Sequence, residues 1–412
     1  MNIGIVTTWF ERGAAYVSRQ YRDVLARHHR VFIYARGGES YAVGNPEWDD
    51  PSVTWGKKLD VPVPTFIELN DLHRWIEDNR LDAVFFNEQQ WWEPVLLCNR
   101  LGVLTGAYVD YYTEETIPLF GCYDFLICNT RRHFDVFAWH PHAFYVPWGT
   151  DLDLFAFNGA APVQPGQVTF FHSAGMSPDR KGTDLLLEAF ERVVGPARLV
   201  LHAQTGIAES FPRLKPLLER LTAAGRVTCI EETIPAPGGY HLGDVYVYPS
   251  RLDGIGLTVA EALACGLPVV TGDCPPMNEV VHEDNGRLVR IERHHARADG
   301  YYWPCCTVSI DDLVEQMQYF VDRIDRLPQC KSAARLYAER HLDWSKNSVR
   351  LPELFSDMAS SRRLDKSVAQ QLARHYEARR LTLTMRLYLL YPKRFKILND
   401  IRKLLNAHLF KP

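Results

Sequence analysis

Short apolar runs, bounded by glycine, proline or polar clusters, alternate along the chain with stretches of helical periodicity. Asn2 to Thr7 reads as a buried strand. A loop holding Gly13 follows, then a helix over residues 16–27 and a second strand over 31–34, which is a β-α-β opening. Further strands are predicted at 83–86, 106–109, 125–128 and 144–146, so residues 1–155 read as one open parallel sheet with helices between its strands. A fresh alternation begins at 168–172 and continues at 199–202, 227–230, 245–248 and 269–271, giving a second doubly wound domain over 160–345. Residues 160–167, AAPVQPGQ, lack periodicity and suit a linker. Residues 346–412 read as helices that pack back on the first domain and end in a basic amphipathic tail. The fold class is therefore α/β, with two Rossmann-like domains facing a central cleft. Ligands of such sheets bind beyond the carboxyl ends of the strands.

Composition narrows the class. A chain of 412 residues, 46% hydrophobic and 12% aromatic, is globular and too long for one core. Nine cysteines contain no CxxC pair and no zinc-like spacing, so a reducing cytoplasm is the expected location. The opening MNIGIVTTWFERG lacks a cationic region ahead of a long apolar stretch, and secretion or membrane spanning is not expected. The net charge of −4 conceals an asymmetry: the chain from Arg362 onward carries +10 and the rest −14. Ile397, Leu398, Ile401, Leu404, Leu405 and Leu409 recur at helical spacing beside Lys396, Arg402 and Lys403. This stripe reads either as a solvated helix crossing back onto the first domain or as an interfacial helix at the inner face of an anionic membrane.

The most informative stretch is YPSRLDGIGLTVAEALACGLPVVTGDCPPMNEVV, residues 248–281, which reads as strand, glycine loop, helix and strand. Gly254 and Gly256 allow close backbone approach, a helix starts near Leu257, and Gly266 is its stop. A helix N-terminus behind a glycine loop presents N–H groups to a diphosphate. Glu261, one turn into the helix, places a carboxylate where ribose hydroxyls could bond to it.

Here the chain resembles the retaining nucleotide-sugar glycosyltransferases of family 4, which have the GT-B fold. Their proline-serine strand end, followed by two acidic residues with seven between them, is similar to Pro249, Ser250, Asp253 and Glu261, although the family has glutamate at the first acidic position. VPWGTDLDLF, residues 146–155, resembles the family's domain junction. HSAGMSPDRKGTDLLLEAF, residues 172–190, resembles its phosphate loop, with Gly175 and Lys181 in place, Met176 where arginine is usual, and Arg180 as a candidate substitute. Thr183 would cap the following helix, whose buried stripe is Leu186, Ala189, Phe190 and Val193. Pro275 and Pro276 replace a glycine pair, and Glu279 keeps the next acidic position. In the first domain Gly13 matches a loop that closes over phosphate and acceptor. The family's histidine after the fourth strand is missing from YVDYYTEE, and Asp110 is the nearest carboxylate, either an acceptor-side group or a strand-end turn residue.

The resemblance implies transfer of a sugar from a nucleoside diphosphate to a glycan or lipid-linked acceptor, with retention, in cell-surface glycan assembly. Lys181, Arg180 and the amides of Gly254, Ile255, Gly256 and Leu257 would hold the diphosphate. Asp253 would hold the sugar and Glu261 the ribose. No cofactor, no metal and no nucleic-acid partner are expected. Asp151 and Asp153 sit in the junction motif, where a turn role competes with metal binding. His294, His295, Cys305 and Cys306, in a stretch over 291–307 without regular period, read as a surface loop sooner than a zinc site. Tyr301, Tyr302 and Trp303 in that stretch could stack on a sugar. An epimerase of the same fold and a binding-only homologue are the rival readings.

Overall fold

The computed structural model describes residues 1–37, 42–58, 63–157 and 159–380. The apolar stripe expected at 397–409 lies outside the described residues. By internal contacts the chain divides into two compact units. The first comprises Met1–Cys128, Val136–Phe144 and the chain from Val349; the second comprises Asn129–Asp135 and Tyr145–Ser348.

The first unit is built on a seven-stranded sheet of β1 (Asn2–Thr7), β2 (Arg30–Ala35), β3 (Val53–Trp55), β4 (Ala83–Asn87), β5 (Leu104–Tyr108), β6 (Phe125–Cys128) and β7 (Ala143–Tyr145), in the order β3-β2-β1-β4-β5-β6-β7. β1 pairs in parallel with both β2 and β4, so the strand order reverses direction at β1. All five residues of β4 are buried, because helices cover both faces of a parallel sheet and leave no polar side. The helix expected at 16–27 runs Gly13–Leu25, so Gly13 is its first residue and not part of the preceding loop. Its buried positions Val17, Tyr21, Val24 and Leu25 recur at helical spacing. Helices Leu351–Ser360 and Ser367–Arg380 belong to this unit. Phe355 packs its ring 5.4 Å from Phe85 and 4.9 Å from Phe125. Glu377 accepts a 2.9 Å bond from the backbone N–H of Trp92.

The second unit holds a six-stranded sheet of β8 (Val168–Gly175), β9 (Ala197–Ala203), β10 (Val227–Glu231), β11 (Val245–Tyr248), β12 (Val269–Gly272) and β13 (Gly286–Val289), in the order β10-β9-β8-β11-β12-β13. The reversal falls between β8 and β11, which pair in parallel at Val245↔Phe170 and Tyr246↔Phe171. The core lies between this sheet and its helices, with Phe170, Leu186, Phe190, Leu199 and Val247 fully buried. Truncating Phe190 to alanine would cost about 3–5 kcal/mol at such a site.

Two strands of the parallel sheets escape the sequence pattern for physical reasons. β3 is three residues of partial burial, and β13 is Gly-Arg-Leu-Val, where an arginine interrupts the apolar run. The surface loop expected at 291–307 is corrected: β14 (Ile291–His295) and β15 (Cys305–Val308) form an antiparallel hairpin. All five residues of β14 are exposed or only half-buried, so no apolar alternation announces it.

Candidate active site

The site is best built from the reversal point of the second sheet. β8 ends at Gly175, whose φ of +55° turns the chain into Met176–Arg180, with the Met176 side chain exposed. The next helix, Thr183–Arg192, is capped by Gly182 and not, as expected, by Thr183. Gly182 has φ +71°, and a Cβ there would lie 2.1 Å from the carbonyl oxygen of Pro249, so only glycine lets the phosphate-loop candidate reach the end of β11. The Thr183 hydroxyl instead bonds to buried His172 Nε2 at 2.8 Å. His172 Nδ1 lies 2.8 Å from the carbonyl of Val247, which can only accept, so Nδ1 carries the proton and Thr183 donates to Nε2. Burial pushes the pKa of His172 down to about 4, helped by Lys181, so the ring is neutral.

Lys181 reaches across to the residues after β11. Its ammonium donates to the Tyr248 hydroxyl and to Asp253 Oδ2, the latter at 2.6 Å, and sits 4.7 Å from the centre of the Tyr248 ring. Tyr248 in turn donates to the same Asp253 oxygen. Asp253 Oδ1 accepts the backbone N–H of Gly256 at 3.0 Å. One carboxylate thus ties the lysine to the glycine loop. Burial alone would raise the pKa of Asp253, but Lys181, Arg180 and the Tyr248 bond together hold it well below the usual carboxylate range. Burial lowers Lys181, with Asp253 opposing. Tyr248 is pushed well up by burial and by the adjacent carboxylate, so it stays a phenol.

The helix Leu257–Ala264 starts from Gly256, φ +77°, and stops before Gly266, φ +78°. Glu261 accepts a 2.5 Å bond from the Tyr240 hydroxyl. Burial raises the Glu261 pKa, against the opposing pull of Tyr240 and Lys181. Arg180 donates to the carbonyl of Leu252 at 2.9 Å and stands 3.7 Å from Asp253, with its side chain 43% exposed. Arg251 makes a two-pronged pair with Asp184 at 2.8 and 2.7 Å, which locks the helix following Lys181 to the segment preceding Asp253.

The structure therefore brings Gly175, Arg180, Lys181, Asp253, Gly254, Ile255, Gly256, Leu257 and Glu261 to one edge of one sheet. The two oxygens of Glu279 accept the backbone N–H groups of Arg131 and Arg132 at 2.6 and 3.0 Å. The Gly256 amide is likewise occupied, by Asp253. Gly13 and Asp110 belong to the first unit, Gly13 exposed at the start of its helix and Asp110 half-buried two residues beyond β5. Asp151 bonds to the N–H groups of Asp153 and Leu154, an ordinary turn. In the hairpin, His294 faces Cys306 and His295 faces Cys305, and among the described residues no three His, Cys, Asp or Glu side chains converge as a metal site.

Three residues of this edge were missed by sequence reasoning. Tyr240 and Tyr248 hold the two acidic groups. Arg132 comes from a distant stretch, and its guanidinium donates to the carbonyls of Pro275 at 2.8 Å, Gly254 at 3.1 Å and Asp253. The tyrosine directly before Pro249 was a signal for Tyr248; nothing in sequence spacing marks Tyr240 or Arg132.

Residues 167–301 match the family described as "Glycosyl transferases group 1". The lipopolysaccharide core biosynthesis mannosyltransferase LpsB of Rhizobium meliloti is 31% identical over 267 residues, covering 60% of this chain and 68% of that protein. The GDP-mannose-dependent alpha-(1-6)-phosphatidylinositol monomannoside mannosyltransferase of Mycolicibacterium smegmatis is 26% identical over 239 residues, 53% of this chain and 57% of that one. Anabaena HepE, solved in complex with UDP and glucose, superposes with a TM-score of 0.66 at 14% identity over 87% of this chain and 100% of its own, a likeness of fold. That fold is GT-B, with two Rossmann-like α/β units. Pattern, fold and similarity converge, and the chain belongs to the group 1 glycosyl transferases.

Proposed function

We propose that this glycosyltransferase moves a hexose, with retention, from a nucleoside diphosphate sugar to a glycan or lipid-linked acceptor in cell-surface glycan assembly, and does so without a metal ion. The observation that carries the reading is the Lys181–Asp253 pair set beside a glycine loop and Glu261 at the reversal point of the second sheet. A diphosphate leaving group develops negative charge as the glycosidic bond breaks, and preorganised cations and amides stabilise that charge. Lys181 and Arg180 supply the cations, and the loop amides supply oriented N–H groups. Asp253 faces the sugar, and Glu261, oriented by Tyr240, receives the ribose hydroxyls.

In the proposed step the acceptor oxygen attacks the anomeric carbon on the face from which the diphosphate departs. The carbon–phosphate oxygen bond breaks, and the acceptor proton passes to the departing phosphate. The mannosyl activities named for the Rhizobium and Mycolicibacterium relatives favour GDP-mannose as donor. Calorimetric titration with GDP-mannose, GDP and UDP-glucose, followed by product NMR, tests donor and stereochemistry together. An inverted product, or binding of no nucleotide, would overturn the reading. Activity should persist in EDTA. A loss that magnesium or manganese restores would remove the metal-independent part.

The tail beyond Arg380 is the segment proposed to contact anionic membrane, on its charge and apolar stripe alone. The full chain should pellet with phosphatidylglycerol vesicles at low salt and a chain ending at Arg380 should not; equal pelleting of the two sinks the proposal.

A further inference from the structure

Arg132 is buried to 5% exposure, and the role of its charge is not explained by the donor contacts above. Its backbone is fixed first: Glu279 accepts the amides of Arg131 and Arg132, so the side chain leaves from a defined point. The guanidinium then donates to three carbonyl oxygens, those of Asp253, Gly254 and Pro275. Trp303, in the turn of the β14–β15 hairpin, holds its ring centre 5.3 Å from the guanidinium carbon. The hairpin is anchored in the same place, because the Cys306 amide donates to the carbonyl of Arg251 at 2.7 Å.

The consequence follows from peptide geometry. In a trans peptide the C=O of one residue and the N–H of the next point in opposite directions. The Asp253 carbonyl shares its peptide plane with the Gly254 amide, and the Gly254 carbonyl shares its plane with the Ile255 amide. By drawing both carbonyls to one side, Arg132 turns both amides to the other. Gly254 has no Cβ to resist this, and the Gly256 amide is already committed to Asp253. Without the guanidinium the two carbonyls would be freer to flip toward the diphosphate position, where an oxygen dipole repels an anion. Lysine is a poor substitute, since a point charge lacks the planar fork that spans separate acceptors.

We propose that Arg132 is a positioning residue for the donor diphosphate, holding the Asp253–Ile255 peptides with their amides toward the phosphate while Trp303 covers the guanidinium. This rests on the donor reading above, and the experiment separates the two. UDP and GDP binding to wild type, Arg132→Met, Arg132→Lys, Arg132→Ala and Lys181→Met is measured by calorimetry, and binding of uridine and guanosine by saturation-transfer NMR. Arg132→Met should lose about 10- to 100-fold in diphosphate affinity, the scale of lost oriented hydrogen bonds to an anion, with nucleoside affinity retained. Arg132→Lys should fall between, and added methylguanidinium should restore binding to Arg132→Ala. Unchanged diphosphate affinity in Arg132→Met, or equal loss for diphosphate and nucleoside, overturns the proposal. Should Arg132→Met not fold, wild-type diphosphate affinity in Arg132→Lys overturns it instead. If wild type binds neither UDP nor GDP, the donor reading falls and takes this inference with it. If Lys181→Met loses affinity while Arg132→Met keeps it, the inference alone falls.

Discussion

The carboxyl edges of the two sheets share a strand arrangement and differ in chemistry. In the first unit, buried Arg36 donates to the carbonyls of Asn87 and Glu88 at 2.9 and 3.1 Å and to the Thr8 hydroxyl at 2.8 Å. Asn87 donates to Ser18 at 2.7 Å, and Ser18 shares a 2.7 Å bond with Thr7. Charge here is absorbed by backbone and neutral side chains. In the second unit, Lys181 faces Asp253 directly, Arg180 stands beside them, and Glu261 is held by a phenol. The second edge also has a carbonyl-bound cation, Arg132, but it adds an ion pair and a buried carboxylate that the Arg36 network lacks. The difference teaches that charge meets charge at the second edge, the property on which the donor reading proposed above rests, while the Arg36 network holds its cation with carbonyls and a hydroxyl.

The largest expected effect tests that exchange. Lys181→Met removes the cation proposed to stabilise the leaving diphosphate and should lower kcat by on the order of 10²- to 10³-fold, the range seen when one charge-stabilising donor is removed. It also leaves Asp253 without its ammonium partner, so stability should fall too, and steady-state kinetics beside thermal unfolding separates the two losses. Asp253→Asn should lower turnover by roughly 10²-fold and more than it lowers affinity, if the residue acts at the reacting sugar. The pH dependence has a definite sign. Because the folded-state pKa of Asp253 is depressed, its contribution to stability is present above the ordinary carboxylate pKa near 4 and is lost as pH falls below that value. Wild type should therefore lose this part of its stability on acidification, and Asp253→Asn should show a shallower acid slope in urea titrations. Identical slopes would mean the pair carries no stabilising charge interaction.

The same contrast explains what was legible in the sequence. Apolar runs flanked by glycine located the principal strands of both sheets, because buried parallel strands need continuous hydrophobic sequence. The Asp253-to-Glu261 segment and the Lys181 loop stood out by their resemblance to a family pattern, and the structure brings them to one sheet edge, with Lys181 bonded to Asp253. The hairpin was not legible, since β14 has no buried face to impose a pattern. Thr183 was assigned to a cap from residue preference alone, and the actual capping position went to Gly182 because β11 passes too close for a side chain. The bonds Glu279 makes were not legible, because the amides it serves lie near residue 131, far away in sequence. Arg132 was invisible for the same reason.

A smaller effect is expected at Glu261. Glu261→Gln should weaken donor and nucleoside diphosphate binding by about 10- to 100-fold, since bonds to a charged acceptor contribute roughly 1.5 to 3 kcal/mol. Its stability effect should run opposite to that of Asp253. Burial raises the folded-state pKa, so the stabilising contribution of this group is present below the ordinary glutamate value and is lost as pH rises through the folded one. At neutral pH the unliganded Glu261→Gln protein should thus be at least as stable as wild type. A variant with wild-type nucleotide affinity would refute the ribose assignment, and a markedly less stable one would refute the account of its buried charge.

The smallest effect is expected in the first unit, and it decides whether the comparison holds at all. Asp110 lies two residues beyond β5, half-buried, in the unit assigned to the acceptor. If it bonds to the acceptor or to the sugar hydroxyls, Asp110→Asn keeps the size and one acceptor oxygen and loses the charge. Turnover should fall about 10-fold, near the value of one charged hydrogen bond, and the acceptor KM should rise. Calorimetric affinity for GDP or UDP should stay at the wild-type value, because the groups proposed to bind the nucleotide all belong to the second unit. Were Asp110→Asn to weaken nucleotide binding as strongly as Glu261→Gln does, the division into a charged donor edge and a neutral acceptor edge would be wrong. A wild-type kcat and acceptor KM would instead reduce Asp110 to a turn residue.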